Sequence, residues 1–254
     1  MTMSPSPTLD TMALDTLVAA AARSGAPRIE PVDLGGRRYW IKRPEVLSLR
    51  WRLQKGNPAR SFARERRAHH ALLARGAPVP PILAEAENYL VLPDSGPSLE
   101  AMLAENVATP AGRRRAFRAA GIALAGLHAV GLAHGRPVPR DLCWNGEQIT
   151  FLDFESSARA GAASQRRQIM DLVQAIHGVY ALSPHETPEV EALCQGYHDA
   201  DSAGIWQGAQ RWASRWRWID PLTRPLQRYE ARYKPLRRYK ELMALPLTLA
   251  RLRG

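Results

Sequence analysis

Two aspartates near the middle of the chain are the residues best suited to chemistry. Asp153 follows directly on the apolar run at 149–152 and precedes Phe154. A carboxylate placed just after a buried strand and backed by an aromatic suits a magnesium ligand facing phosphate oxygens. Asp141 stands 12 residues earlier, directly before the short apolar run that starts at Leu142. Arg136 adds a cation that takes no proton at neutral pH and can neutralise developing negative charge. Upstream, Lys42 ends the run Tyr39-Trp40-Ile41, and Glu65 lies in a helical segment. Such a set fits a reaction that needs phosphates held and neutralised more than covalent help. Plainer readings exist for each. Asp153 can be a turn aspartate, and Lys42 with Glu65 a surface ion pair worth at most about 1 kcal/mol. His69, His70 and His128 have no second histidine or cysteine at ligand spacing and read as helix residues, with His128 in the core.

The elements that must position these groups are legible in the pattern. Residues 11–24 read as a short helix, and 28–34 and 37–43 as two strands joined by Gly35-Gly36. Residues 61–75 carry apolar side chains at helical spacing (Phe62, Ala68, Leu72, Leu73) and stop at Gly76. The prolines at 78, 80 and 81 force an extended connection. Residues 89–92 form a short strand, 93–97 a turn-rich hinge, and Ser98 can cap the next helix. From Pro110 the pattern turns helical, with helices predicted at 112–130 and 165–182. Between them lie a loop at 134–140 and two short strands, 142–144 and 149–152, around Asn145-Gly146. Strands with one helix, a hinge, then helices broken by a small hairpin make an α+β chain in two lobes. The expected divisions are a tail and short helix at 1–25, a β-rich lobe at 26–94 and a helical lobe at 95–254.

Composition bounds the function classes. The 254 residues, 45% hydrophobic and 23% charged, exclude collagen-like, coiled-coil and largely disordered readings. Cys143 and Cys194 are too few for a disulfide framework or a zinc site. Residues 1–10 lack the basic and apolar parts of a signal peptide, and no run reaches the roughly 20 apolar residues of a membrane span. The cytoplasm is the expected location, with peripheral contact at the inner membrane face as a further expectation. Net charge is +11, and residues 207–254 hold 12 Lys+Arg against 3 Asp+Glu. Four of the seven tryptophans (Trp206, Trp212, Trp216, Trp218) lie at or beside this basic end. An anionic partner follows from that pairing: a phosphorylated substrate, an acidic membrane surface or, less favoured, a nucleic acid. An arginine-rich bundle with tryptophans in its core is the plain alternative.

Lys42 on its strand, Glu65 on the next helix, Leu90-Val91-Leu92-Pro93 before the hinge, His134-Gly135, Asp141-Leu142 and Leu152-Asp153-Phe154-Glu155 come in an order that resembles the protein-kinase-like fold. The resemblance covers about residues 28–180 and is to its small bacterial form, the lipopolysaccharide core heptose kinase group. It implies a small β-rich N-lobe, a helical C-lobe, and ATP with Mg2+ as cofactors. It implies that Lys42 pairs with the nucleotide phosphates, that Glu65 directs it, that Leu92 lines the nucleotide site and that Asp153 binds magnesium. Glu155 stands where many kinases have glycine.

The catalytic loop departs from the family pattern. By spacing from Asp153, Asp141 falls at the family's metal-binding asparagine and Arg136 at its general base. Asp141 then either holds metal with Asp153 or serves as a displaced base. The glycine-rich phosphate lid is also poorly matched. Gly35-Gly36 lies in the hairpin directly before the lysine strand, and Ser24-Gly25 is the other candidate. With 17 residues between Asp153 and Asp171, a long peptide-docking segment has no room. The expected acceptor is therefore a small molecule or a glycolipid sugar hydroxyl. A second basic aromatic patch, Arg50, Trp51, Arg52 and Lys55, adds to the case for an anionic surface. The rival readings are a pseudokinase that binds nucleotide or partner without transfer, and a nucleic-acid-associated protein.

Overall fold

The computed structural model describes residues 11–23, 25–45, 57–104, 107–154, 163–183, 188–219, 221 and 240–254. It is an α+β chain with a small antiparallel sheet and a mostly helical remainder. Two compact units divide it, Met1–Asp94 and Ser95–Gly254.

In the first unit, helix α1 (Thr11–Ala21) precedes strands β1 (Ile29–Leu34) and β2 (Arg37–Lys42). Gly35 and Gly36 both take positive φ, +59° and +72°. Two successive left-handed residues match a tight hairpin to the strands' own twist, and glycine adopts that backbone without a Cβ clash. Helix α2 (Pro58–Ala74) starts at Pro58, with Asn57 accepting a hydrogen bond from the Ala59 N–H. Proline loses nothing there, because a first-turn N–H has no helical partner. Strands β3 (Ala84–Ala86) and β4 (Tyr89–Pro93) complete a sheet of order β1-β2-β4-β3. Alternation along β2 turns Tyr39 and Ile41 into the core with Leu17, Ala21, Tyr89 and Val91. Lys42 and Trp40 fall on the opposite face. Arg43, 7% exposed, donates to the Ala20, Ala21 and Pro27 carbonyls and so ties the end of α1 to the end of β2.

In the second unit, helix α3 (Leu99–Ala104) is capped as expected, Ser98 Oγ accepting from the Ala101 N–H at 3.1 Å. Helix α4 (Pro110–Ala129) is capped by Thr109. A short 3-10 turn (Pro139–Asp141) leads into strands β5 (Leu142–Trp144) and β6 (Ile149–Phe151), paired with Leu142 opposite Phe151. Helices α5 (Gln165–Leu182), α6 (Pro188–Ala200), α7 (Ile205–Ser214) and α8 (Lys240–Arg253) follow. Phe117, Leu124, Leu172, Ile176, Val179 and Tyr197 are buried at the centre.

Several boundaries move. Helix α1 ends at Ala21, and α2 and α4 begin three and two residues before the pattern placed them, each at a proline behind a polar cap. The division between the two units falls inside the 93–97 hinge, whose ends are each bonded within their own unit: Pro93 pairs with Tyr39 in the sheet, and the Pro97 carbonyl accepts from the Trp144 N–H. Glu155, the 46–56 stretch with Arg50, Trp51, Arg52 and Lys55, and Ser24 lie outside the described residues. Among those described, no helix is long and apolar enough to cross a membrane.

Candidate functional site

Backbone pairing brings Asp141 and Asp153 to one end of the β5–β6 hairpin. The Leu152 N–H donates to the Asp141 carbonyl at 2.8 Å, so the residue before Asp153 is bonded to Asp141 itself. Asp153 has φ +52°, the one described non-glycine residue in the left-handed region, and is exposed. That conformation is strained for a residue with a Cβ and persists where the surroundings hold it. Here both neighbours are held. His134 Nε2 lies 2.7 Å from the Leu152 carbonyl, and Phe154 is buried with its ring centroid 4.5 Å from that of His134.

His134 is in turn fixed by Asp171. The Asp171 carboxylate, 1% exposed on α5, accepts from the His134 N–H at 2.5 Å and the Gly135 N–H at 2.9 Å. His128 Nε2 lies 3.3 Å from the same carboxylate, and its Nδ1 2.6 Å from the Tyr197 hydroxyl. Gln168, one turn earlier on α5, donates to the His128 and Leu132 carbonyls. Burial holds the His134 imidazole below the usual histidine range. A neutral ring whose Nε2 faces a carbonyl carries its proton there, which leaves Nδ1 to accept from the Arg136 N–H at 3.3 Å.

The Asp141 side chain is nearly enclosed, at 7% exposure, and its Oδ2 has no hydrogen-bond partner. Arg140 Nε stands 3.6 Å from Oδ1 and Arg136 Nη2 4.0 Å from Oδ2, too long for hydrogen bonds. Burial raises the Asp141 carboxyl to about 6. Arg140 opposes that rise, the Asp153 charge adds to it, and Arg136 opposes it again. An enclosed carboxylate with a free oxygen and a neighbouring carboxylate can do two things: ligate a hard cation, or take up a proton near neutral pH.

In the first unit, Lys42 Nζ is ion-paired with Glu65 Oε1, both side chains about four-fifths covered. The lysine sits on the sheet face opposite Ile41, which points it at α2. Leu92 is half-buried on β4 opposite Trp40. Trp40 Nε1 donates to Asp94 Oδ1 at 2.7 Å. Gly35-Gly36 is the turn immediately before the lysine strand, and α1 precedes β1, so no glycine-rich strand pair stands before Lys42 among the described residues. His69 and His70 are helix residues with partners of their own, the Pro80 carbonyl and Glu85. No cluster of three or more metal-ligating His, Cys, Asp or Glu side chains occurs among the described residues.

Asp171 and Gln168 are the site-building residues that motif reading passes over. They lie more than 30 residues from the loop they hold. Their signal is local: both occupy the apolar stripe of α5 with Leu172, Ala175 and Ile176, where a polar side chain needs a buried partner.

No family model matches the chain. An uncharacterized protein of Haemophilus influenzae is 29% identical over 201 residues, covering 79% of this chain and 82% of that protein. Among solved structures, the chain is similar to one described as a divergent kinase lacking the glycine-rich loop that regulates membrane ultrastructure of the Toxoplasma parasitophorous vacuole. Identity there is 13% and the TM-score 0.41, over 78% of this chain and 82% of that one. At so low a TM-score the likeness decides nothing about the fold.

Proposed function

We propose that the chain is an ATP- and Mg2+-dependent phosphotransferase with a protein-kinase-like fold, acting on a sugar hydroxyl of a lipopolysaccharide-type glycolipid or a related small molecule. The observation that carries this reading is the Asp141 carboxylate: enclosed, short of a hydrogen bond, and set beside a strained Asp153. The donor set fits magnesium, since both groups offer hard carboxylate oxygens and one oxygen is left without a partner. Bound magnesium would neutralise charge on the nucleotide's phosphate oxygens. By the family resemblance, Lys42, directed by Glu65, would hold nucleotide phosphate oxygens. His134 and Asp171 keep the loop in place, and Arg136 supplies positive charge where negative charge develops. Asp141 itself is basic enough, at about 6, to accept the acceptor hydroxyl's proton when it is not a ligand. The small-molecule acceptor rests on the short stretch between Asp153 and α5, which starts at Gln165.

A second reading, nucleotide binding without transfer, is favoured by Arg136 at the position where the family places its base. Calorimetry of ATP binding with and without Mg2+ tests both, using wild type, Asp153→Asn and Lys42→Met. The phosphotransferase reading expects Mg2+-dependent binding, weakened by both substitutions with the fold intact, and γ-phosphate release or transfer by wild type. Binding without any transfer supports the second reading. Absence of ATP binding by folded wild-type protein sinks both.

A further inference from the structure

The C-terminal end of α7 carries a ledge of aromatic rings that the phosphotransferase reading does not use. One face of α7 is buried through Ile205, Gly208, Ala209 and Ala213. From that helix's end onward the tryptophans turn outward: Trp216 is 37% and Trp218 61% exposed. Trp212 and Trp216 are four residues apart on a shared face, ring centroids 6.1 Å apart, and Trp216 and Trp218 are 6.0 Å apart. The backbone beneath them is ordered by hydrogen bonds from the Arg215, Trp216 and Ile219 N–H groups to the carbonyls three residues before each. Trp206, by contrast, is turned against Tyr197 and His198.

Arg211, Arg215 and Arg217 alternate with these rings. All three are exposed, and none has an ion-pair partner among the described residues. No acidic residue occurs between Ile205 and Ile219. Trp212 is half-buried, and exposing the two large rings beyond it to water is costly unless something covers them. Unpaired arginines around them select an anionic cover.

We propose that the Trp212–Trp216–Trp218 ledge, with Arg211, Arg215 and Arg217, docks the chain on the surface of an anionic lipid bilayer. Indole suits that depth because its ring is apolar and its N–H still meets the headgroups. Arginine supplies charge to lipid phosphates over a short range that salt screens. Single-stranded nucleic acid is the less fitting cover. Base stacking needs open ring faces, whereas here successive rings lie tilted against one another. The ledge belongs to the second unit alone, and the proposal stands whether or not the chain transfers phosphate.

The test is sedimentation of the full-length protein with phosphatidylglycerol-containing vesicles and with pure phosphatidylcholine vesicles, at low and high salt. Wild type should bind the acidic vesicles and release them as salt rises. Replacing Arg211, Arg215 and Arg217 by glutamine should weaken that binding on the order of 100-fold. Trp216→Ala with Trp218→Ala should weaken it too and reduce the blue shift of tryptophan emission on binding, leaving only what Trp212 supplies. Trp218→Ala alone, at the most exposed ring, serves if the double variant does not fold. Equal binding to neutral and acidic vesicles, or none to either, overturns the proposal. So does salt-sensitive binding to a single-stranded RNA oligonucleotide by protein that ignores vesicles.

Discussion

Asp141 is a carboxylate that the fold would hold more comfortably as an acid. Its folded-state value, about 6, lies above the ordinary aspartate value of 3.8. The folded chain therefore binds this proton more tightly than the unfolded one. Stability from this group is greatest at acidic pH and declines as pH rises through about 6; by neutral pH the ionised form costs on the order of 2–3 kcal/mol. Asp141→Asn removes the charge, though its amide also has to find partners. In metal-free buffer the variant should melt several degrees above wild type at pH 7.5, and the gap should close toward pH 4–5. A variant less stable than wild type at pH 7.5 would show that the enclosed charge is matched by interactions worth more than its desolvation. Activity separates the two roles of the same group. As a metal ligand, asparagine keeps an oxygen, and the loss should be about tenfold, roughly 1.4 kcal/mol of barrier. As a displaced base it cannot take a proton, and the loss should reach about 10²–10⁴-fold. A gain in stability with a loss in activity is the trade expected of a residue kept for function.

The helices that carry this loop are set by where side chains are missing. Helix α4 meets α6 at Gly121 and Gly196. A Cβ on Gly121 would stand 2.1 Å from the Leu193 carbonyl oxygen, and one on Gly196 2.1 Å from that of Arg118. Gly126, one turn and a half along α4, is exposed with nothing within 4 Å. Gly121→Ala should therefore destabilise the protein by roughly 1–3 kcal/mol, since two backbones must part. Gly126→Ala should stabilise it by roughly 0.5–1 kcal/mol through helix propensity alone. Melting temperatures moving in opposite directions would establish the close crossing; a parallel rise would mean the helices are free to separate. Neither glycine's role is legible in the chain, where both read as weak points in a helix. The Gly35-Gly36 hairpin, the Ser98 cap, α5 and the β5–β6 pair are legible, because each depends on neighbours in sequence. Strand β3, Ala-Glu-Ala, is not: it has no β-branched residue and exists because β4 offers it an edge. The anchoring of His134 by Asp171 is hidden for the same reason as the helix crossing, since it joins residues 37 apart.

At the scale of the whole chain, charge was more legible than shape. The +11 excess and its concentration after residue 207 are read directly, and three of its arginines, Arg211, Arg215 and Arg217, stand exposed. Arg224, Arg228, Arg232, Lys234, Arg237 and Arg238 lie outside the described residues, while Arg251 is paired with Glu191. The choice between buried and outward tryptophans was not legible, because four-residue spacing fits a core stripe and a surface ledge equally well. Such an excess of one sign repels itself, and folding brings those charges closer together. Two kinds of interaction then compete as salt is added. Screening the repulsion favours the fold, while screening exposed pairs such as Arg38–Asp33 and Arg118–Asp199 opposes it. Solvent screens exposed pairs of this kind, so they contribute little, whereas the +11 excess acts on every cation of the chain. Raising sodium chloride from low to physiological strength should therefore raise the melting temperature by roughly 2–4 °C, about 1 kcal/mol. The same salt should weaken binding to acidic vesicles, because there the arginines act on charge of the opposite sign. One ionic-strength series thus moves two measurements apart. A melting temperature that falls with salt would mean the ion pairs outweigh the repulsion, and the unbalanced basic end would then be neutralised within the fold rather than presented to a partner.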